Sequence, residues 1–383
     1  MATVATTLIP EIVQAARNYI RVSRNLAEHG NGNIAKVFLR ILASRLFYGM
    51  GPDVYDRRRF SNKKLSRAGE YLSLREREDL QKSLCPTEAR GLVENKLRFF
   101  ERCASNGLPT PSVKGVYRIR ETYIPPGVPV FQTRQELRDF LSSLPPGRYV
   151  VKPLDGGHGW DVSAFDIENG LIRDLSGTAI DQEQFYRKVE ESGHGSAGYL
   201  FQEFARPHRG LTPIMPGPGL GTFRIVTFLM GERTVKIPFA VVKIPVGNSV
   251  TDNFDGGYSG NWVCPVDVST GRLGNAVGKR KGVPVFSEIE QREDTGASFQ
   301  GMEVPLWDEV KATVTRAALL FSDLRTLGWD VAITNDGPSI LETNWDWGEN
   351  IIEVALNRGL RSELTELTRR SMQANTSPRP LKP

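Results

Sequence analysis

The stretch from Trp329 to Asn344 constrains the fold more than any other part of the chain. Two apolar segments, Trp329 to Thr334 and Ser339 to Asn344, flank Asn335-Asp336-Gly337, a strong hairpin signal because these residue types tolerate the positive φ of tight turns. Inside this apolar ribbon stand Asp330, Glu342 and Asn344. Side chains alternate along a strand, so Glu342 and Asn344 share one face, Thr343 takes the other, and the tight turn is expected to bring Asp330 beside the first two. Three oxygen donors then converge. Such a hard, oxygen-rich set suits Mg2+, which takes one or two carboxylates and completes its shell with water and substrate phosphates. A polar hairpin face would explain any one of these residues, but all three at matching parity favour a site.

A second element lies upstream. Tyr149-Val150-Val151-Lys152-Pro153 reads as a strand with a lysine near its end, followed by Asp155-Gly156-Gly157-His158-Gly159. Glycines after a strand let backbone N–H groups approach phosphate oxygens, and an adjacent ammonium adds a point charge. Taken alone, this is more simply read as a hairpin tip with an exposed lysine, and it lacks the Gly-Lys-Ser/Thr of a P-loop. Leu200 to Ala205 reads as a strand whose backbone could serve an adenine edge, and Arg224 sits in the apolar strand Phe223 to Met230. A buried arginine needs an anion or a carboxylate. Lys243 follows, then Thr251 to Gly257, a turn-rich loop presenting Asn253 and backbone N–H groups.

Around these elements the chain has an α+β texture. Residues 1–92 read as a basic helical region: Ile34, Val37, Phe38, Ile41 and Leu42 recur at helical spacing, and Gly49 stands at a C-cap position. A helix carrying Asn95 and Lys96 is expected to run to Ser105, where Asn106-Gly107 breaks it. Short strands then alternate with helices; Val310, Val314, Ala317, Ala318, Phe321 and Leu324 mark one face of a helix expected to end at Gly328. Residues 93–204 and 205–373 read as two lobes, and 374–383, with three prolines, as a disordered tail.

Composition excludes several classes. The three cysteines, Cys85, Cys103 and Cys264, have no disulfide or redox spacing, and no apolar run is long enough to span a membrane, so a cytoplasmic protein is expected. Residues 1–120 hold 22 Lys and Arg against 11 Asp and Glu. Such a basic third could meet an anionic partner or simply be solvated helix; no nucleic-acid motif accompanies it. The four histidines are scattered, and no Ser-His-Asp or Cys-His arrangement offers a side-chain nucleophile.

The order of these elements, from about Asn95 to Leu356, resembles the ATP-grasp superfamily, most closely the branch found beside sugar-transfer genes and related at a distance to glutamate ligases. The resemblance rests on Gly328-Trp329-Asp330-Val331 and Leu341-Glu342-Thr343-Asn344. It implies an ATP-grasp fold, in which two α+β lobes clasp ATP, and a carboxylate-amine ligase acting through an acyl phosphate in polysaccharide or natural-product biosynthesis. It further implies that Lys96 and Lys152 hold the ATP phosphates, that the loop with Gly156, Gly157 and Gly159 closes over them, and that Gln202, Glu203 and Ala205 form the adenine hinge. Arg224 would face the γ-phosphate, with Lys243 and Asn253 beside it, and Asp330, Glu342 and Asn344 would hold two Mg2+ ions, for which Mn2+ could substitute. The partners implied are a small carboxylate and an amine. Two positions depart from the pattern: Lys243 stands where related ligases often have arginine, and Asp255 where they often have a base. A kinase-like phosphotransferase and a non-catalytic nucleotide-binding module are the alternatives.

Overall fold

The computed structural model describes residues 2–30, 32–120, 123–154, 162–168, 170–190 and 197–376. Six helices come first: α1 Ala2–His29, α2 Ile34–Tyr48, α3 Pro52–Arg57, α4 Leu74–Leu84, α5 Thr87–Glu94 and α6 Lys96–Ser105. Their ends follow from local chemistry. Asn33 caps α2 by accepting from the Lys36 N–H, and Gly49 closes it at φ 69°. Ser73 and Glu76 form a capping box that starts α4. Asn95 ends α5 and caps α6, so the single helix expected there is two.

Strands β1 Val113–Tyr117, β2 Val130–Phe131, β3 Gly147–Pro153, β4 Ser163–Glu168, β5 Leu171–Arg173 and β6 Tyr199–Glu203 form one sheet in the order β2-β1-β6-β3-β4-β5, with α7 Arg134–Ser143 and α8 Gln182–Glu190 beside it. The second sheet, in the order β11-β10-β9-β8-β7-β12-β13, contains β7 Phe223–Leu229, β8 Val235–Ile244, β9 Trp262–Pro265, β10 Ala276–Lys279, β11 Phe286–Ile289, β12 Thr326–Thr334 and β13 Gly337–Asn344. Helices α9 Trp307–Leu320, α10 Glu349–Leu356 and α11 Arg361–Thr376 accompany it. Residues 374–376 are thus helical where a tail was expected, and 377–383 lie outside the described residues.

The first sheet has its own aromatic core, including Tyr149, Phe165, Phe185 and Phe201. Helices α4 to α6 instead join the large core of the second sheet, with the Phe99 and Phe321 rings 5.6 Å apart. Helices α1 to α3 form a third cluster around Ile41, Tyr55 and Phe60. Only part of the apolar stripe on α2 is covered, since Ile41 is buried while Leu42, Leu46 and Phe47 are exposed. The docking of this region uses its charge: Arg58 reaches Glu353 at 2.6 Å and Arg59 reaches Glu288 at 2.7 Å. Part of the basic surplus therefore meets carboxylates of the same chain.

Gly328 does not end a helix. Helix α9 stops at Leu320, Gly328 lies inside β12, and a Cβ there would collide with Cβ of Trp347 and stand 3.2 Å from Cδ of Arg224. Only glycine permits that approach. Gly328→Ala is expected to cost about 1–3 kcal/mol through overpacking, read as a lower urea midpoint at unchanged m-value; an unchanged midpoint would show that Trp347 moves aside freely.

Candidate active site

Four neighbouring strands carry the charged groups of the second sheet. Arg224 on β7 lies opposite Asp330 on β12, which lies opposite Glu342 on β13, and Lys243 projects from β8 on the same side. The turn alone would not produce this. Thr334 pairs with Gly337 and Val331 with Ile340, a register that continued would set Asp330 opposite Leu341 and turn Glu342 and Asn344 to the other face. A bulge intervenes between the Val331 and Asp330 pairings. It presents both Leu341 and Glu342 to one cavity, and the three oxygen donors share a face because of it. Thr343 faces away, buried, and donates to the Gly328 carbonyl at 3.1 Å.

Asp330 is the hub of this row. Arg224 grips it with Nε and Nη2 at 2.6 and 2.9 Å, and Lys243 Nζ lies 3.1 Å from Oδ2. Burial opposes ionisation of Asp330, but Arg224 and Lys243 outweigh it and hold the carboxyl well below the usual carboxylate range. Lys243 also meets Asp252 at 3.2 Å, and Asp252 in turn accepts from the backbone N–H and hydroxyl of Thr222. Burial pushes the Asp252 carboxyl up, with Lys243 opposing. Asp252 and Thr222 were not singled out in the sequence; a Thr-Phe-Arg strand facing a Thr-Asp-Asn loop carries no periodic signal.

The donor set passes a count of lone pairs. A carboxylate offers about four acceptor positions, and Asp330 uses three of them on Arg224 and Lys243. Asn344 Nδ2 donates to Glu342 Oε1 at 3.4 Å, which leaves the amide oxygen for another partner. Two carboxylates and an amide fit a hard divalent cation that keeps several waters. Among the described residues no three His, Cys, Asp or Glu side chains cluster as metal ligands; the amide is what completes this set.

Facing the row is the first sheet. Lys152 on β3 lies over the Phe100 ring at 4.9 Å. Burial pulls its ammonium down to about 8, Glu342 raises it and Lys96 lowers it further. Lys96 Nζ donates to the Leu154 carbonyl at 3.1 Å, at the start of the glycine-rich stretch. Gly156, Gly157, His158 and Gly159 lie outside the described residues. Gln202 is buried with its amide 3.4 Å from the Pro111 carbonyl, while Glu203 is exposed and near Lys114.

A cavity of about 630 Å3 joins the two sheets. One end is an apolar slot made by Val150, Ala164, Phe204, Ala205, Leu220 and Leu341. The middle holds Lys152, Arg224, Lys243, Asp330, Glu342 and Asn344. The far end is lined by the loop 251–258 and, unexpectedly, by Arg57 and Arg77 from the N-terminal helices. Asn253 lines this end, where its side-chain oxygen accepts from the Asp255 N–H. An apolar pocket leading to a cluster of cations and oxygen donors has the character of a small-molecule binding site.

The family model of sugar-transfer associated ATP-grasp proteins matches residues 75–369. The chain belongs to that family. Its fold is accordingly the ATP-grasp fold, preceded by helices α1 to α3. Similar solved structures include the ATP-grasp ligase PsnB complexed with minimal precursor, Mg and ADP, at 16% identity and TM-score 0.34 over 75% of this chain and 62% of that one. D-alanine–D-alanine ligase from Bacillus anthracis matches at 12% identity and TM-score 0.41, over 74% and 69%. D-cycloserine synthetase DcsG matches at 15% and 0.39, over 83% and 82%. The chain thus spans about 62% of the length of PsnB. Among curated proteins no sequence matches it significantly. No helix among the described residues is long and apolar enough to cross a membrane.

Proposed function

We propose that this family member is an ATP-dependent carboxylate-amine ligase that releases ADP and works through an acyl phosphate. One observation carries the reading: a single cavity connects an apolar slot to Lys152 and to the row Lys243, Arg224, Asp330, Glu342 and Asn344. The chemical difficulty is that a carboxylate must attack a phosphate although both are anionic. Arg224 and Lys243, set in a buried row, supply fixed positive charge where the transferring phosphoryl group gains negative charge. Asp330, Glu342 and Asn344 would hold Mg2+, with Mn2+ as a substitute, and the ion would supply charge neutralisation at the phosphates. Lys152 and Lys96 meet the ATP phosphates, and the segment Gln202 to Ala205 lies along the adenine. Such an acyl phosphate must be kept from water until the amine arrives. Two pooled screens test this: ADP release should require both a carboxylate and an amine. Release with a hydroxyl compound alone would make the protein a phosphotransferase, and no release from any pair would make it a binding module.

Lys152 yields a sharper check. With its ammonium near 8 in the free protein, it is partly neutral at slightly alkaline pH, and phosphates arriving beside it restore the proton. ATP binding should therefore take up a fraction of a proton at about pH 8.5, seen as a buffer-dependent calorimetric enthalpy. The uptake vanishes in Lys152→Met. The sign for stability is opposite: the unfolded lysine binds more protons than the folded one between about 8 and its ordinary value of 10.5, so Lys152 makes stability rise with pH across that window. Proton release on binding, or uptake unchanged in the Met variant, would remove Lys152 from the phosphate site.

A further inference from the structure

Three consecutive arginines, the last residue of helix α3 and the two after it, are used differently. Arg58 and Arg59 turn to Glu353 and Glu288. Arg57 instead lines the central cavity, and among the described residues it forms no ion pair. Its Nη1 donates to the Gly256 carbonyl at 3.3 Å, and its Nε is buried without a hydrogen-bond partner. Arg77, the other N-terminal arginine in the cavity wall, already stands 3.8 Å from Asp346 and 3.6 Å from Glu349. Among the described residues, Arg57 is the cation of this end without an ion pair.

The wall against which Arg57 rests is built for close approach. Asp255, Gly256 and Gly257 have φ of 42°, 57° and 88°, an unbroken left-handed run in which a non-glycine is strained. A Cβ on Gly256 would collide with Arg57 Nη1. The missing side chain is what lets the guanidinium cross the loop and reach the cavity. Burial and the neighbouring Arg58 pull the Arg57 guanidinium down, against Tyr258, Asp53 and Asp255; a cation so placed gains from an arriving anion. Its distance from Lys243 is bounded by the loop. The same loop pairs Asp252 with Lys243, and four residues of chain from Asp252 to Gly256 span at most about 14 Å.

We propose that Arg57 binds an anionic group, a carboxylate or a phosphate, at the end of the substrate remote from the carboxylate that is activated. This rests on the ligase reading and deepens it. The substrate acid carries at least two anionic groups, and the N-terminal helices form part of the active site. The planar guanidinium donates to such a group in paired fashion, which a lysine cannot reproduce.

The test uses the full chain saturated with AMPPNP and Mg2+, so that probe anions cannot occupy the nucleotide phosphate sites. Thermal midpoints are followed against butyrate, dicarboxylates of graded length, and phosphocarboxylates of the same lengths. Members of one dianionic class should raise the midpoint where butyrate does not, and that class names the remote group. Arg57→Gln and, from the opposite side of the contact, Gly256→Ala should each weaken the apparent affinity by about tenfold or more. Arg57→Lys should recover part of it, and AMPPNP affinity should stay at the parental value in all three. A parent with no preference for dianions, or an Arg57→Gln variant with the parental shift, overturns the assignment. ADP release with the same acids and an amine pool reports separately on the ligase reading: dianion binding that depends on Arg57 without any ADP release would sink that reading and leave the anion site standing.

Discussion

Glu342→Gln is expected to abolish ADP formation at ordinary magnesium concentrations, with partial recovery at higher Mg2+ or with Mn2+. The variant keeps shape and loses one charge from a set of two carboxylates and an amide, and water is a poor electrostatic replacement at an octahedral site. Its neighbour provides the control. Thr343 points to the opposite face and spends its hydroxyl on the Gly328 carbonyl, so Thr343→Val should cost about 1 kcal/mol of stability and leave turnover near the parental value. Turnover retained in Glu342→Gln, or a greater loss in Thr343→Val, would mean that the cavity face of β13 is not the cation site.

Asp330→Asn should be the most destabilising single change in the site. Arg224 and Lys243 both lose their acid while remaining buried, and breaking a buried charge pair by removing one partner costs about 3–5 kcal/mol. Asp252 remains beside Lys243 and limits the damage there. Arg224 keeps its bond to the Trp347 carbonyl at 2.7 Å but loses its paired grip on an ionised acid. The expected readout is a large drop in urea midpoint together with loss of turnover. Because Asp330 is held ionised by Arg224 and Lys243, its contribution is complete above the ordinary carboxylate value and fades only in strong acid. A variant with parental stability would show that Arg224 and Lys243 find other partners or water. Arg224→Lys is milder in charge but gives up the two-pronged grip on Asp330, so it should reduce turnover more than ADP affinity.

Much of this was legible in the sequence, and what was not has identifiable causes. Strong turn chemistry at Asn335 to Gly337 and the alternation of β13 place Glu342, Thr343 and Asn344 correctly. The position of Asp330 beside them was also anticipated, yet its cause was not: the two-residue turn by itself gives the opposite parity, and a bulge leaves no mark in a pattern of apolar residues. Gly328 was read as a helix stop because glycine after a helical stripe is usually one. Here it serves the packing of Trp347, a contact 19 residues along the chain whose existence depends on how the strand exits. The role of the basic N-terminal third was invisible for a plainer reason. Arg57 and Gly256 are 199 positions apart, and Arg58 and Glu353 are 295 apart, so complementarity between them appears only once the lobes and helices are assembled.

Attack of a carboxylate oxygen on the terminal phosphate of ATP leaves a signature that heavy-oxygen transfer reads out. The protein is incubated with ATP, Mg2+, a pool of amines and a pool of acids whose carboxylates are enriched in heavy oxygen, and the released phosphate is analysed by mass. Attack by the carboxylate followed by amine displacement carries one labelled oxygen into inorganic phosphate, with ADP as the other nucleotide product. Labelled phosphate is expected in proportion to ADP, and none when the amines or the acids are withheld. Phosphate that stays unlabelled while ADP accumulates, or AMP in place of ADP, would contradict that attack.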